Sequence, residues 1–173
     1  MIKLKKKIFL KFNYKNMCIQ LKKFTHKNIT TKYLNWLNDK KLMRYSRHRH
    51  NKHNLASVNK YINEMENNLF LTIFLKKKKN FIHIGNLSIY FDEKNKSASI
   101  SILIGSINHR NKGIGKIIWT KTLDRLKKFQ SLEVISAGTH YKNFSMIKIF
   151  NSSKMKVFKK GNKVFSKIKI KKN

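Results

Sequence analysis

An α+β fold is what this sequence predicts, with a mixed, mostly antiparallel central sheet and helices on both faces. Three observations carry that prediction. Apolar residues alternate with period two in several short runs, most clearly at 97–104, where Ala98, Ile100, Ile102 and Ile104 alternate with Ser97, Ser99, Ser101 and Leu103. After His109 the period becomes helical, with Ile114, Ile117, Ile118, Leu123, Leu126 and Phe129 on one stripe. A strand-like run then returns at 132–137, so a meander of antiparallel strands leads into one β-α-β crossover.

The elements follow in order. Residues 1–15, rich in lysine, read as a loose basic leader, and 16–173 as a single domain. Cys18-Ile19-Gln20-Leu21 forms a first strand. Residues 25–28 offer capping chemistry for a helix through Tyr33, Leu34, Trp36 and Leu37. A second helix covers 55–65, with Leu55, Val58, Ile62 and Met65 on one face. Residues 69–75 and 81–91 are strands separated by a lysine turn at 76–79, and 92–96 is a polar hairpin turn before the strand at 97–104. Residues 143–152 are helical. Residues 155–158 and 164–170 close the fold as a hairpin around Gly161-Asn162. No proline and no Gly/Ser linker marks a boundary.

Composition narrows the class. The 173 residues hold 41 Lys+Arg against 7 Asp+Glu, a formal net charge of +34. With 40% hydrophobic and 12% aromatic residues the chain is too apolar for a disordered tail, and its apolar runs are far shorter than the roughly 20 residues of a membrane helix. One cysteine, Cys18, allows no internal disulfide, which fits a reducing, cytoplasmic setting. So basic a chain suggests a polyanion partner, and nucleic acid is one candidate. Yet more than half the residues are Phe, Tyr, Met, Ile, Asn and Lys, and Arg, with its phosphate-matching fork, is scarce. AT-rich coding accounts for much of the lysine without any partner.

The motif that carries chemistry is Arg110-Asn111-Lys112-Gly113-Ile114-Gly115. Two glycines at a helix start let successive backbone N–H groups converge on an anion, reinforced by the helix dipole. Arg110 and Lys112 are expected to add side-chain cations. The Gly-Lys-Ser/Thr ending of a P-loop is missing, as is the glycine spacing of a dinucleotide fingerprint.

On these residues the chain resembles the GNAT superfamily of acyl-CoA-dependent N-acetyltransferases, whose signature Arg/Gln-x-x-Gly-x-Gly/Ala opens the helix after the fourth strand. The resemblance extends to Tyr33-Leu34-Asn35-Trp36-Leu37-Asn38-Asp39, similar to the first helix of members acting on ribosomal-protein N-termini and aminosugars. It includes Ile84-Gly85-Asn86 in the third strand, and Ala137-Gly138-Thr139 with Asn143-Phe144-Ser145-Met146 at the end of the fifth. It implies a V-shaped splay between the fourth strand (97–104) and the fifth (132–137). It further implies acetyl-CoA as co-substrate, with its pyrophosphate on the amides of Asn111, Lys112, Gly113, Ile114, Gly115 and Lys116 beside Arg110. The pantetheine would pair with the edge of Ile102, Leu103 and Ile104, with Asn143 beside the reacting thioester.

Direct transfer needs a neutral amine, a polarised carbonyl and a proton for the leaving thiolate, with most of the rate from positioning and backbone donors. Here the sequence departs from the family. Phe150 stands where many members carry a tyrosine acid, Gly138 where some carry a carboxylate base, and Lys154 where a glycine is usual. His140, Tyr141 and Ser145 are therefore the nearest proton carriers.

The acceptor side is expected to use Trp36, Arg47, His50, His53, His83 and Asn86. The run Arg47-His48-Arg49-His50-Asn51-Lys52-His53 is too cationic, and too far from any cysteine or carboxylate, to suggest a metal, so none is expected. By resemblance it faces the acceptor, and its charge suits an anionic sugar nucleotide better than a basic peptide. The leading expectation is acetyl transfer to the primary amine of a nucleotide-linked aminosugar. The alternatives are a ribosomal-protein N-terminus as acceptor, and a degenerate GNAT fold serving as a basic RNA- or ribosome-binding module.

Overall fold

The computed structural model of the chain describes residues 8–77 and 79–171. Its eight strands are β1 (Ile8–Tyr14), β2 (Met17–Lys23), β3 (Leu69–Lys77), β4 (Asn80–Asp92), β5 (Ser97–Ile104), β6 (Val134–His140), β7 (Lys156–Lys160) and β8 (Lys163–Lys169). Its helices are α1 (Thr31–Asn38), α2 (Lys40–Met43), α3 (Leu55–Glu64), α4 (Ile114–Leu126) and α5 (Phe144–Ser152). The strands form one sheet in the order β1-β2-β3-β4-β5-β6-β8-β7. Only β5 and β6 run parallel, because α4 returns the chain between them; every other neighbouring pair is antiparallel.

The residues expected to be a loose leader are a strand from Ile8 to Tyr14, antiparallel to β2. Leu10, Phe12 and Tyr14 alternate with Lys11 and Asn13, and a register shift between Ile8 and Leu10 lets Phe9 enter the core as well. Residues 1–7 of that leader lie outside the described residues. A short helix, α2, also forms where none was expected, because Asp39 accepts N–H bonds from Lys41 and Leu42 and so caps it.

Alternation along the strands builds two cores. On one face Leu71, Ile73, Leu87, Ile89 and Ile100 meet Ile118, Trp119 and Leu123 of α4 and Phe150 of α5. On the other, Phe24 and Phe70 meet Tyr33 and Trp36 of α1 and Val58 of α3. One irregularity matters for the site. Ile73 pairs with Gly85 but Phe74 pairs with His83, so Ile84 is the extra residue of a β-bulge in β4. The bulge shifts the alternation by one. His83 and Asn86, which strict period two would put on opposite faces, are thereby brought within 3.2 Å of each other. Among the described residues no helix is long and apolar enough to cross a membrane.

Candidate active site

The glycine loop becomes the N-terminus of α4. Gly113 is the N-cap at φ 78°, and Asn111 also has positive φ, at 57°. No side chain caps the helix and no carboxylate lies in its first turn, so its first amides point outward with the positive end of the dipole. A methyl group on Gly113 would lie 2.8 Å from the Tyr14 hydroxyl. β1 therefore packs its last residue against the loop, a contact that reading β1 as a leader concealed. A methyl group on Gly115 would meet only Ile104 at 3.7 Å and Ile149 at 3.9 Å, ordinary contact distances. The protein's own packing does not require glycine there.

Arg110 does something other than expected. Its Nε donates to the Ile104 carbonyl at 2.9 Å and a terminal nitrogen donates to the Gly105 carbonyl. The guanidinium thus ties the loop to the end of β5 through two of its five N–H donors. The exposed cations beside the amides are Lys112 and Lys116.

Below the loop the sheet divides. β5 and β6 pair only at Ser97–Val134, Ala98–Ile135 and Ser99–Ser136. Past that point Ile102, Leu103 and Ile104 pair only with β4, and β6 pairs only with β8. On the far wall Asn143 caps α5: its Oδ1 accepts from the Met146 amide at 3.3 Å and its Nδ2 donates to Thr139 Oγ1 at 2.8 Å. The Asn143 amide thus fixes the turn from β6 into α5. His140 accepts the Lys142 N–H at Nδ1, 3.2 Å away, and its ring stacks on Tyr45 at 5.5 Å and 17°. Tyr141 is half-buried, with the Lys159 ammonium 5.0 Å from its ring centre. Ser145 is exposed on the first turn of α5. Phe150 is fully buried, 5.6 Å from Trp119 between ring centres.

On the other face, Trp36, His83 and Asn86 do come together. His83 Nε2 lies 3.0 Å from the Gly85 carbonyl and 3.2 Å from Asn86 Oδ1, while Asn86 Nδ2 donates to the Leu71 carbonyl. Two acceptors at Nε2 place the ring proton there and leave the lone pair on Nδ1. Phe24, Tyr33, Trp36 and Phe74 surround the ring, with Trp36 at 5.0 Å. Burial lowers the imidazole to about 4, the nearby Lys32 charge adding to it and the two hydrogen bonds opposing it. A methyl group on Gly105 would land on the Trp36 indole, so that glycine lets α1 lie against the end of β5. Arg47 and His50 are exposed. The backbone of His53 is clamped on both sides by the Asn38 amide, and burial with the His48 charge lowers its imidazole. Sequence reasoning missed Tyr14, Tyr45 and Gly105. Tyr14 carried a signal in the alternation of residues 10–14; the other two are tertiary contacts that no spacing announces.

The family model described as "Acetyltransferase (GNAT) domain" matches residues 19–156. The chain belongs to the GNAT acetyltransferase family. Among solved structures, a domain from Methanocaldococcus jannaschii DSM 2661 aligns with a TM-score of 0.76 at 20% identity, over 87% of this chain and 97% of that one. Spermidine N-acetyltransferase from Vibrio cholerae, solved with CoA and spermine, gives 0.73 at 15% identity over 88% and 95%. The microcin C7 self-immunity acetyltransferase MccE, solved with acetyl-CoA and AMP, gives 0.71 at 17% identity over 88% and 92%. No curated protein matches the sequence. The GNAT fold thus accounts for the open eight-stranded sheet and its five helices. The residues present also fit a CoA pyrophosphate: a helix start with no side-chain cap, glycines at 113 and 115 beside its first amides, and no carboxylate in the first turn to repel an anion.

Proposed function

We propose that this chain is an acetyl-CoA-dependent N-acetyltransferase that delivers the acetyl group directly to a primary amine, with a nucleotide-linked aminosugar as the acceptor class. The observation that carries the reading is the uncapped α4 start standing over the gap between β5 and β6. The amides of residues 111–116 would hold the pyrophosphate, with Lys112 and Lys116 beside them and Arg110 bracing the loop. The free edge of Ile102, Leu103 and Ile104 would bind the pantetheine amides, and Asn143 would fix the opposite wall. Acetyl-CoA, when bound, supplies the activated acyl thioester. No covalent enzyme intermediate is needed, so the protein's task is to position the two partners, exclude water and handle a proton.

Phe150 is buried and has no proton to give. His140 is the better-placed partner for the leaving thiolate: its Nε2–H would hydrogen-bond the sulfur, while the proton the thiolate takes up is the one the attacking amine nitrogen loses as the amide forms. Its Nδ1 already accepts a backbone N–H, so the neutral ring carries its proton on Nε2. The acceptor would enter beside Tyr45, whose stacking on His140 brings the Arg44–His53 segment to the end of β6. The cations of that segment support an anionic acceptor.

The test is calorimetric titration with CoA, using Gly113→Glu as the control. Wild type should bind. The variant should lose at least tenfold in affinity, because it adds a carboxylate and a Cβ at a positive-φ position. No binding by wild type at moderate salt would sink the reading. Labelled acetyl-CoA offered with sugar-nucleotide and peptide pools then decides the acceptor; label in peptide alone would replace the aminosugar by a protein N-terminus.

A further inference from the structure

The sheet is covered unevenly, and its bare part has a definite chemistry. α1 and α3 cover the inner strands on their side through Phe24 and Phe70. Among the described residues the same side of β6, β8 and β7 carries no helix. Its residues follow from the register. Lys167 stands opposite Lys156, Phe165 opposite Phe158, and Lys163 opposite Lys160. Gly138 of β6 lies beside Phe165, and His140 beside Lys163. The alternate residues Val164 and Ser166 are buried against the opposite core, so this face belongs to solvent.

Two features set the face apart from lysine scattered by composition. Its aromatic rings are not core: Phe158 is 44% exposed and stacks on Phe165 at 5.6 Å and 20°, with the Lys167 ammonium 5.8 Å from its ring centre. Gly138 adds no side chain beside them; a methyl group there would press on the Phe165 ring at 3.4 Å. The cations are also aligned. Lysine pairs lie directly across the hairpin above and below the ring pair, an arrangement that costs stability through like-charge repulsion. No carboxylate offsets it in sequence, since residues 134–173 contain eleven lysines and no Asp or Glu. The strip from Lys163 to Lys169 runs about 20 Å along β8, longer than one nucleotide needs.

We infer that this face of β6, β8 and β7 docks a single-stranded nucleic acid, with bases stacked on the Phe158–Phe165 pair and phosphates held by Lys156, Lys160, Lys163 and Lys167. An outward-facing ring pair flanked by cations is what single strands require: a π-face for the bases and a cationic track for the backbone. A duplex hides its base faces and would reach only the lysines. The inference stands apart from the acetyl-transfer reading, since it uses none of the residues assigned to CoA.

The experiment is fluorescence anisotropy with a labelled twelve-residue oligouridylate and the full chain at about 150 mM salt. Phe158→Leu keeps most of the apolar volume and removes the ring. It should weaken binding about five- to a hundredfold and leave the salt dependence unchanged. Lys160→Gln with Lys163→Gln should lower the slope of log affinity against log salt by about 1.4. Lys60→Gln, on an exposed position of α3, should change neither. The inference is overturned if wild type does not bind, or if Phe158→Leu binds as wild type does. It is also overturned if UMP, polyglutamate or anionic lipid vesicles compete as well as the oligonucleotide. Sedimentation showing a wild-type dimer that Phe158→Leu dissociates would instead assign the face to a second copy of the chain.

Discussion

Burial keeps the His83 imidazole neutral, at about 4 against the 6.5 of a free histidine, and this has a consequence for stability. Between those values the unfolded chain binds a proton that the native protein refuses, so stability falls as pH drops from about 6.5 towards 4 and is unaffected above. The loss from pH 7.5 to 5 is at most about 2 kcal/mol, less whatever screening occurs at the ring's open side. Urea denaturation at the two pH values should show it for wild type, and His83→Leu should lose that part of the slope. An unchanged slope would mean that the ring is already solvated. At this scale the sequence revealed the glycines of the α4 loop, because glycine is scarce and a helix start has few uses for it. It also put His83, Asn86 and Trp36 among the residues expected on the acceptor side. It could not reveal why they meet, since the bulge at Ile84 arises from register with β3. Nor could it show that Arg110 ties the loop to the Ile104 and Gly105 carbonyls.

Among the elements, β1 separates reading from structure most clearly. Seven consecutive residues with lysine on either side look like a leader, yet Phe9 is 2% exposed and Tyr14 touches the α4 loop. Phe9→Ala should cost about 3–5 kcal/mol and lower Tm by about 10 °C, measured by thermal denaturation. Ile8→Ala, at the exposed neighbouring position, should change Tm by a degree or two. A neutral Phe9→Ala would restore the leader. The other strands were legible because one face is buried and period two survives in β5 and β8. α4 was legible because its stripe is long. α2 was not, since four residues carry no period and only the Asp39 cap announces them.

For the molecule as a whole, charge and topology divide the chain at the same place. Beyond Glu133 the cations run without a carboxylate, and they belong largely to α5, β7 and β8. That portion joins the rest of the sheet through the three residue pairs of β5 and β6, closed at their near end by the Lys96–Glu133 ion pair at 2.9 Å. Overall order was readable from the sequence because connections are short; the brevity of this join was not, as the alternation of β5 continues well past it.

The join behaves mechanically as a clothes-peg, pinned at Ser97–Ser99 with its jaws at Ile104 and His140. A ligand gripped between the jaws would act as a missing rung and stiffen their open ends against each other. Hydrogen exchange should then slow by tenfold or more at residues 101–104 and 137–140 when CoA binds, while β3, already paired on both edges, should keep its rate. Protection spread evenly over the sheet would mean that the two jaws never moved independently.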